Sequence, residues 1–499
     1  MAKPYILGID EGTSRVKVLI VDRAADPVGF GAAEIPSICP QDGHVEQDPQ
    51  LIWDKTHDLV VRTLSESDIE PDQIAAIGIA NQRETTIFWN RKTGVPYRNA
   101  VVWLDRRASP ICNLAGQTMG PQAVDRVGMY FLPCTAGMLV KWLLENDASI
   151  QEGAARGEAC FGTVNSWLLW KLTGGEVHRS DMANMSVTLL QNAREMNYDD
   201  QMLAHLKIPT GILPELTGTG EVLGTTSKDL FCGAEIPVAG MLGDQQAAAL
   251  GQGCVAKGML KNTYGTGSFC VMNTGARYVP PVSGLFSPFL WGDRENPTYG
   301  LEGFSEVCGL AVDWLRTNMR LFDDPSETEE MARLVKGGEP LYFVPAFRGL
   351  PTPALDANAR GAVFGITTET TAAHVVKAVL DGIVYQTTDM IKTMEQATGQ
   401  EVRALRVDGG MAKNDYLCQF QADMLNRVVE RPRTTEATAL GAIYQAGLVV
   451  HFWSSLEQIA SLWKLEKRFE PRCPERERAR LYSGWLEAVE RSKAWIRKN

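Results

Sequence analysis

The chain has 499 residues, too many for one hydrophobic core, so two or three domains are expected. Its 44% hydrophobic and 22% charged residues are those of an ordinary soluble globular protein. The net charge of -11 argues against a nucleic-acid or anionic-membrane surface, so an anionic ligand must be held by local donors. The 10 cysteines form no Cys-x-x-Cys pair and are scattered, which does not read as zinc and fits reduced thiols in a cytoplasm. The segment from Met1 and Ala2 to Asp10 meets its first acid too early for a secretion signal. No apolar run approaches the roughly 18 residues of a membrane helix.

In chain order, residues 5–9 and 16–21 read as a hairpin around Ile9-Asp10-Glu11-Gly12-Thr13-Ser14. Residues 52–64 carry apolar positions at helical spacing, 74–80 and 85–89 look like strands, and 136–144 is again helical. Glycines become frequent over 218–253, which places a boundary between lobes 1–246 and 247–499. A second hairpin, 259–263 and 269–272, flanks Tyr264-Gly265-Thr266-Gly267-Ser268 and makes a faint internal repeat with the first. The Pro- and Gly-rich stretch 279–300 reads as loop. Residues 372–396 read as a long helix with Gly382 as a weak point, 404–407 as a strand leading into Asp408-Gly409-Gly410, and 437–450 as a buried helix. Strands alternating with helices imply an α/β protein.

Both glycine turns suit phosphate. Glycine lets backbone approach a ligand, and hydroxyls and N–H groups beside it can bond phosphate oxygens. That assigns Gly12, Thr13 and Ser14 in the first turn, with Lys17 or Arg15 for charge, and Gly265 and Thr266 in the second. Alone, the first turn reads equally as a plain hairpin loop and the second more readily as one. Neither is a Walker A loop or a Gly-x-Gly-x-x-Gly fingerprint. Asp10, at a strand end, suits Mg²⁺ through oxygen. Asp244, after the apolar run 238–242, reads as a helix cap or as a general base for an attacking hydroxyl. Arg83 and Glu84 follow a strand and can exchange hydrogen bonds with sugar hydroxyls, or form a common exposed ion pair. Trp103 reads as a ligand wall or as core. Asp408-Gly409-Gly410-Met411-Ala412-Lys413-Asn414 reads as an adenine site bonded by Asn414, or as a strand-to-helix turn. The six histidines are dispersed and receive no role.

Together these stretches resemble the FGGY carbohydrate kinases along essentially the whole chain. The resemblance rests on Gly78-Ile79-Ala80-Asn81-Gln82-Arg83-Glu84-Thr85-Thr86, Phe161-Gly162-Thr163-Val164-Asn165, Gly243-Asp244-Gln245-Gln246, Lys261-Asn262-Thr263-Tyr264-Gly265-Thr266-Gly267, Val407-Asp408-Gly409-Gly410 and Thr438-Ala439-Leu440-Gly441-Ala442. It implies two actin-like (ribonuclease H-like) lobes with ATP, Mg²⁺ and an acceptor in the cleft between them. Asp244 is then the base, and Asp10 and Asp244 the metal-side carboxylates. Arg83, Glu84, Trp103, Cys134, Asp244, Gln245 and Phe269 hold the acceptor. Gly12, Thr13, Ser14, Lys17, Gly265, Thr266, Gly309, Gly410, Met411 and Asn414 hold the nucleotide. The implied acceptor is a small polyol, glycerol giving glycerol 3-phosphate, with erythritol, xylitol, xylulose or ribulose as alternatives. A homodimer or homotetramer without nucleic-acid or membrane partners is implied as well. The chain departs from the branch it most resembles in a first turn one residue shorter, in Cys134 where a Tyr hydroxyl is usual, and in the segment 349–356, which together allow an acceptor longer than glycerol. An actin-like assembly protein and a polyol sensor without turnover are the rival readings, since fold alone does not dictate function.

Overall fold

The structure, a computed structural model, describes residues 3–350 and 352–496; Met1 and Ala2 of the secretion-signal argument and Pro351 of the altered segment lie outside them. Strands β1 (Tyr5–Glu11), β2 (Arg15–Val21) and β3 (Pro27–Glu34) form an antiparallel meander. β4 (Ile74–Asn81) pairs parallel with β1, β5 (Val222–Thr225) pairs antiparallel with β6 (Pro237–Gly243), and β6 pairs parallel with β4. The sheet therefore runs β5-β6-β4-β1-β2-β3. β1, β4 and β6 are almost wholly buried, as strands covered on both faces must be, and they read as continuous apolar runs for that reason.

The second sheet repeats the plan. β7 (Leu260–Tyr264), β8 (Ser268–Gly275) and β10 (Pro297–Ser305) are antiparallel neighbours, and β9 (Phe289–Gly292) extends that edge. β11 (Ala404–Asp408) pairs parallel with β7, and β12 (Val428–Pro432) parallel with β11. β13 (Leu465–Phe469) closes the other edge, giving β9-β10-β8-β7-β11-β12-β13. The series β3-β2-β1-β4-β6 thus has its counterpart in β10-β8-β7-β11-β12. The two hairpins read from the sequence occupy equivalent places.

Among the helices, α1 (Pro49–Glu66) is capped by Asp48, whose side chain accepts from Gln50 N and Leu51 N. α2 (Ala136–Asn146), α3 (Asp244–Gly251), α4 (Gly309–Thr317), α5 (Ala372–Thr398), α6 (Asp415–Leu425) and α7 (Ala437–Val449) follow. α3 and α7 cross so tightly that a Cβ on Gly251 would fall 1.9 Å from the Ala437 carbonyl oxygen. α7 also lies on β1, β4 and β6, so a helix from late in the chain packs on the first sheet. One hydrophobic cluster accordingly spans both halves, from Ile6 and Leu19 through Leu250 to Ile443 and Trp453.

The expectation of loop over 279–300 is corrected, since β9 and the start of β10 lie there. Pro297 opens β10, where a strand tolerates proline, and Gly292 turns at φ 109; this punctuation hides two short strands. Gly382 does not weaken α5. A Cβ there would meet the Phe343 carbonyl oxygen at 2.3 Å, so glycine allows close packing. No helix among the described residues is long and apolar enough to cross a membrane.

Candidate active site

Three parallel strands of the first sheet end side by side, with Glu11 and Gly243 both in register with Asn81. Their carboxyl ends deliver Asp10 and Glu11, Arg83 and Glu84, and Asp244 to one place, the position where open α/β sheets bind ligands. A cavity of about 270 Å³ lies there, lined by Thr13, Ser14, Arg83, Glu84, Trp103, Cys134, Asp244, Gln245 and, from the second sheet, Gly265, Thr266, Gly267 and Phe269. Both glycine turns therefore face one space.

Asp244 is the first residue of α3; the cap position belongs to Gly243, and the simple cap reading fails. Its Oδ1 accepts from Gln245 N at 2.7 Å and faces Arg83 Nε at 3.0 Å. No donor among the described residues reaches Oδ2, and 30% of the side chain is exposed, so one oxygen is anchored and the other is open to the cavity.

Arg83 is not the exposed partner of Glu84. It crosses the cleft to Glu302 on β10, donating from Nη1 at 2.8 Å and Nη2 at 2.5 Å, and from Nη1 to Gln246 at 3.3 Å. Burial works against its charge, but Glu302 and Asp244 more than compensate, so its pKa lies above the ordinary guanidinium value. Glu302, fully buried, escaped the sequence reading because the start of its strand falls in the Pro- and Gly-rich stretch 279–300 that reads as loop. Glu84 has a backbone φ of 68 and accepts from Ala136 N at 2.7 Å, at the start of α2. Burial pushes its carboxyl up to about 8, against the Ala136 N–H and Arg83.

Aromatic rings form the rest of the wall. Trp103 Nε1 donates to Thr13 Oγ1 at 2.8 Å, and its ring meets Phe269 edge-on at 6.4 Å. Phe269 stacks on Phe304. Gln245 is oriented by Lys261, whose Nζ donates to its Oε1 at 2.5 Å. Cys134 borders the cavity, its thiol pushed up to about 12 by burial.

The acids at the β1 end were read only in part. Burial pushes Asp10 up to about 7; Lys17 opposes this, and Asp244 and Glu436 add to it. Glu11, unassigned from sequence, is pushed up to about 8, mainly by burial, with Gln82 opposing as it donates to both its oxygens at 3.4 and 3.2 Å. No donor among the described residues reaches the Asp10 carboxylate. Buried acids this poorly compensated fit a hard divalent cation with oxygen ligands. Lys17 is held by Glu436 at 2.6 Å, whereas Arg15 points outward to Glu34. Gly12 N donates to Arg15 O at 2.9 Å, so the first turn is also an ordinary hairpin turn.

A second cavity, of about 580 Å³, opens at the ends of β7 and β11. Gly265, Thr266, Gly309, Gly410, Met411 and Asn414 line it. Gly309 begins α4, and its N–H donates to Gly265 O at 2.9 Å. Gly409, at φ 87, turns the chain after β11, and nothing stands within 4 Å of where a Gly410 Cβ would be. Asn414 caps α6, accepting from Leu417 N at 3.0 Å, and its Nδ2 donates to Thr328 at 3.2 Å. Its amide is thus committed within the protein, as the strand-to-helix alternative foresaw. Gly265 and Thr266 border both cavities.

Comparison with known proteins agrees with this layout. Residues 5–251 match the N-terminal domain, and residues 260–449 the C-terminal domain, of the FGGY family of carbohydrate kinases. A protein of Thermotoga maritima named glycerol kinase 2 is 45% identical over 495 residues, 99% of this chain and 100% of that protein. The crystal structure of Plasmodium falciparum glycerol kinase with ADP superposes with a TM-score of 0.91 at 33% identity, covering 99% of both chains. Gluconate kinase from Lactobacillus acidophilus shares the fold, with a TM-score of 0.86 at 22% identity over 98% of both chains.

Proposed function

This chain belongs to the FGGY family of carbohydrate kinases, and we propose that it transfers the γ-phosphoryl group of ATP to a terminal hydroxyl of glycerol. The observation that carries the reading is Asp244, anchored through one oxygen by Arg83 and with the other open to a cavity on which both glycine turns converge.

The acceptor lies between Arg83, Glu84 and Gln245, with Trp103 and Phe269 against its carbons. Asp244 Oδ2 takes the proton of the terminal hydroxyl as its oxygen bonds phosphorus, and the bond from phosphorus to the ADP oxygen breaks. Positioning supplies most of the rate, since phosphoryl transfer asks little covalent work of the protein. Backbone and hydroxyls of Thr13, Ser14, Gly265 and Thr266 hold the phosphates. Gly309, Gly410, Met411 and the Asn414 backbone border the rest of the nucleotide. Lys17 lends charge from beside Asp10. Mg²⁺ held by Asp10 and Asp244 would offset charge on the phosphate oxygens. Water is the competing acceptor, so several simultaneous hydrogen bonds to the polyol are needed to favour the alcohol.

The test is product identification. Purified protein with MgATP and glycerol should yield ADP and glycerol 3-phosphate in equal amounts by mass spectrometry. Inorganic phosphate in place of glycerol 3-phosphate would favour the assembly-ATPase reading.

A further inference from the structure

A further cavity, of about 360 Å³, shares no lining residue with either cavity of the candidate active site. Its wall comes from both halves of the chain: Asp26 at the turn from β2 to β3, Arg433, Thr434 and Thr435 between β12 and α7, Tyr444 on α7, and Lys464 just before β13. The polar groups around it are mostly donors. Arg433 is exposed; its backbone N–H donates to Lys464 O at 2.9 Å, and its guanidinium has no acceptor among the described residues. Lys464 Nζ donates to Asp26 at 2.5 Å, and Asp26 is the one acid among the described residues that line the cavity. Thr434 Oγ1 accepts from Glu436 N at 3.4 Å, and neither Thr434 nor Thr435 gives its hydroxyl hydrogen to an acceptor among the described residues.

Tyr444 supplies an independent observation. It is 2% exposed, its ring packs edge-on against Trp453 at 5.4 Å, and its hydroxyl has no hydrogen-bond partner among the described residues. A buried hydroxyl is ordinarily paired. This oxygen is not sealed inside the protein, and the space it reaches is the cavity. Burial, with Asp26 nearby, pushes its pKa up, so it stays a donor. Pro27, Leu440 and Leu462 make the apolar part of the wall.

We infer that this cavity is a second ligand site, for a small organic phosphate. The phosphate oxygens meet Arg433, Lys464 and the hydroxyls of Thr434, Thr435 and Tyr444, and the carbon body lies on Pro27, Leu440 and Leu462. Two cations against one acid, with three unspent hydroxyl donors, suit the several oxygens of a phosphate better than the two of a carboxylate. The apolar wall leaves room for carbon that inorganic phosphate does not fill. The inference stands apart from the kinase reading, since none of these residues takes part in it.

Phenyl phosphate is the probe, titrated calorimetrically into the full chain and into Arg433→Glu and Tyr444→Phe. Arg433 is exposed and Tyr444→Phe keeps the ring, so both variants should melt as wild type does. The expected Kd for wild type is below about 1 mM, weakened about tenfold or more by Arg433→Glu and about threefold or more by Tyr444→Phe. No binding up to about 10 mM, or unchanged affinity in either folded variant, overturns the site. Inorganic phosphate or benzoate binding as tightly as phenyl phosphate overturns the assigned ligand chemistry.

Discussion

The acceptor cavity and the larger cavity beside it are built from opposite materials. The first is a charge network: Arg83 tied to Asp244 and Glu302, Glu84 raised by burial, Lys261 orienting Gln245. The second is mostly backbone, with Gly265, Gly309 and Gly410 leaving room where side chains would stand. A small neutral polyol resembles water, so discrimination has to come from hydrogen bonds that are costly to leave unmade. A nucleotide is large and can be held by shape and main-chain groups. The two cavities should therefore respond differently to mutation: the first loses turnover and stability, the second only affinity.

The sharpest contrast should come from Asp244→Asn. The variant keeps the shape but cannot accept the proton, so kcat should fall by about 10²–10⁴ while ATP affinity in equilibrium binding stays within about twofold. Unchanged kcat would remove Asp244 from the base role. Next is Arg83→Gln, which leaves Glu302 buried without its ionic partner. Denaturant unfolding should show a loss of about 3–5 kcal/mol, and a double variant with Glu302→Gln should recover part of it. A loss below about 1 kcal/mol would mean that water already reaches Glu302. On the other side, Gly410→Val has open space for its side chain, so the fold should be kept while ATP affinity drops about tenfold, read by isothermal titration.

The smallest effect concerns pH. Asp10, raised to about 7, and Glu11 and Glu84, raised to about 8, keep protons in the folded state that the unfolded chain has lost. Proton binding by the native state then exceeds that of the unfolded state, so stability without ligands falls as pH rises through that window. His178 acts in the opposite sense, but its folded value is depressed to about 4, mainly by burial, so its contribution is complete above the ordinary His range. The melting temperature should drop by a few degrees from about pH 6.5 to about pH 8, and Asp10→Asn should flatten that slope. A melting temperature that rises over the same interval would contradict the burial of these acids.

Sequence legibility followed the range of each interaction. The hairpins and the strands leading to Asn81 and Asp408 were readable because apolar runs and glycine turns are local signals, and the strand before Asp244 showed only as the apolar run 238–242. β9 and β10 were not, since prolines and glycines interrupt them, and Glu302 was lost with them. Lys17 was read as a phosphate contact, but its partner Glu436 lies 419 residues away, and no local pattern announces such a pair. Glu11 was visible beside Asp10 yet carried no signal, because its burial depends on the neighbouring strands. Asn414 shows the reverse case: its side chain does what its place before a helix dictates.

The most direct test of the account is ADP release with and without glycerol under saturating MgATP. The account predicts slow release alone and release faster by at least about 10²-fold with glycerol, since only the bound alcohol presents a proton to Asp244. Equal rates in the two conditions would show that the cavity at Asp244 does not select an alcohol over water.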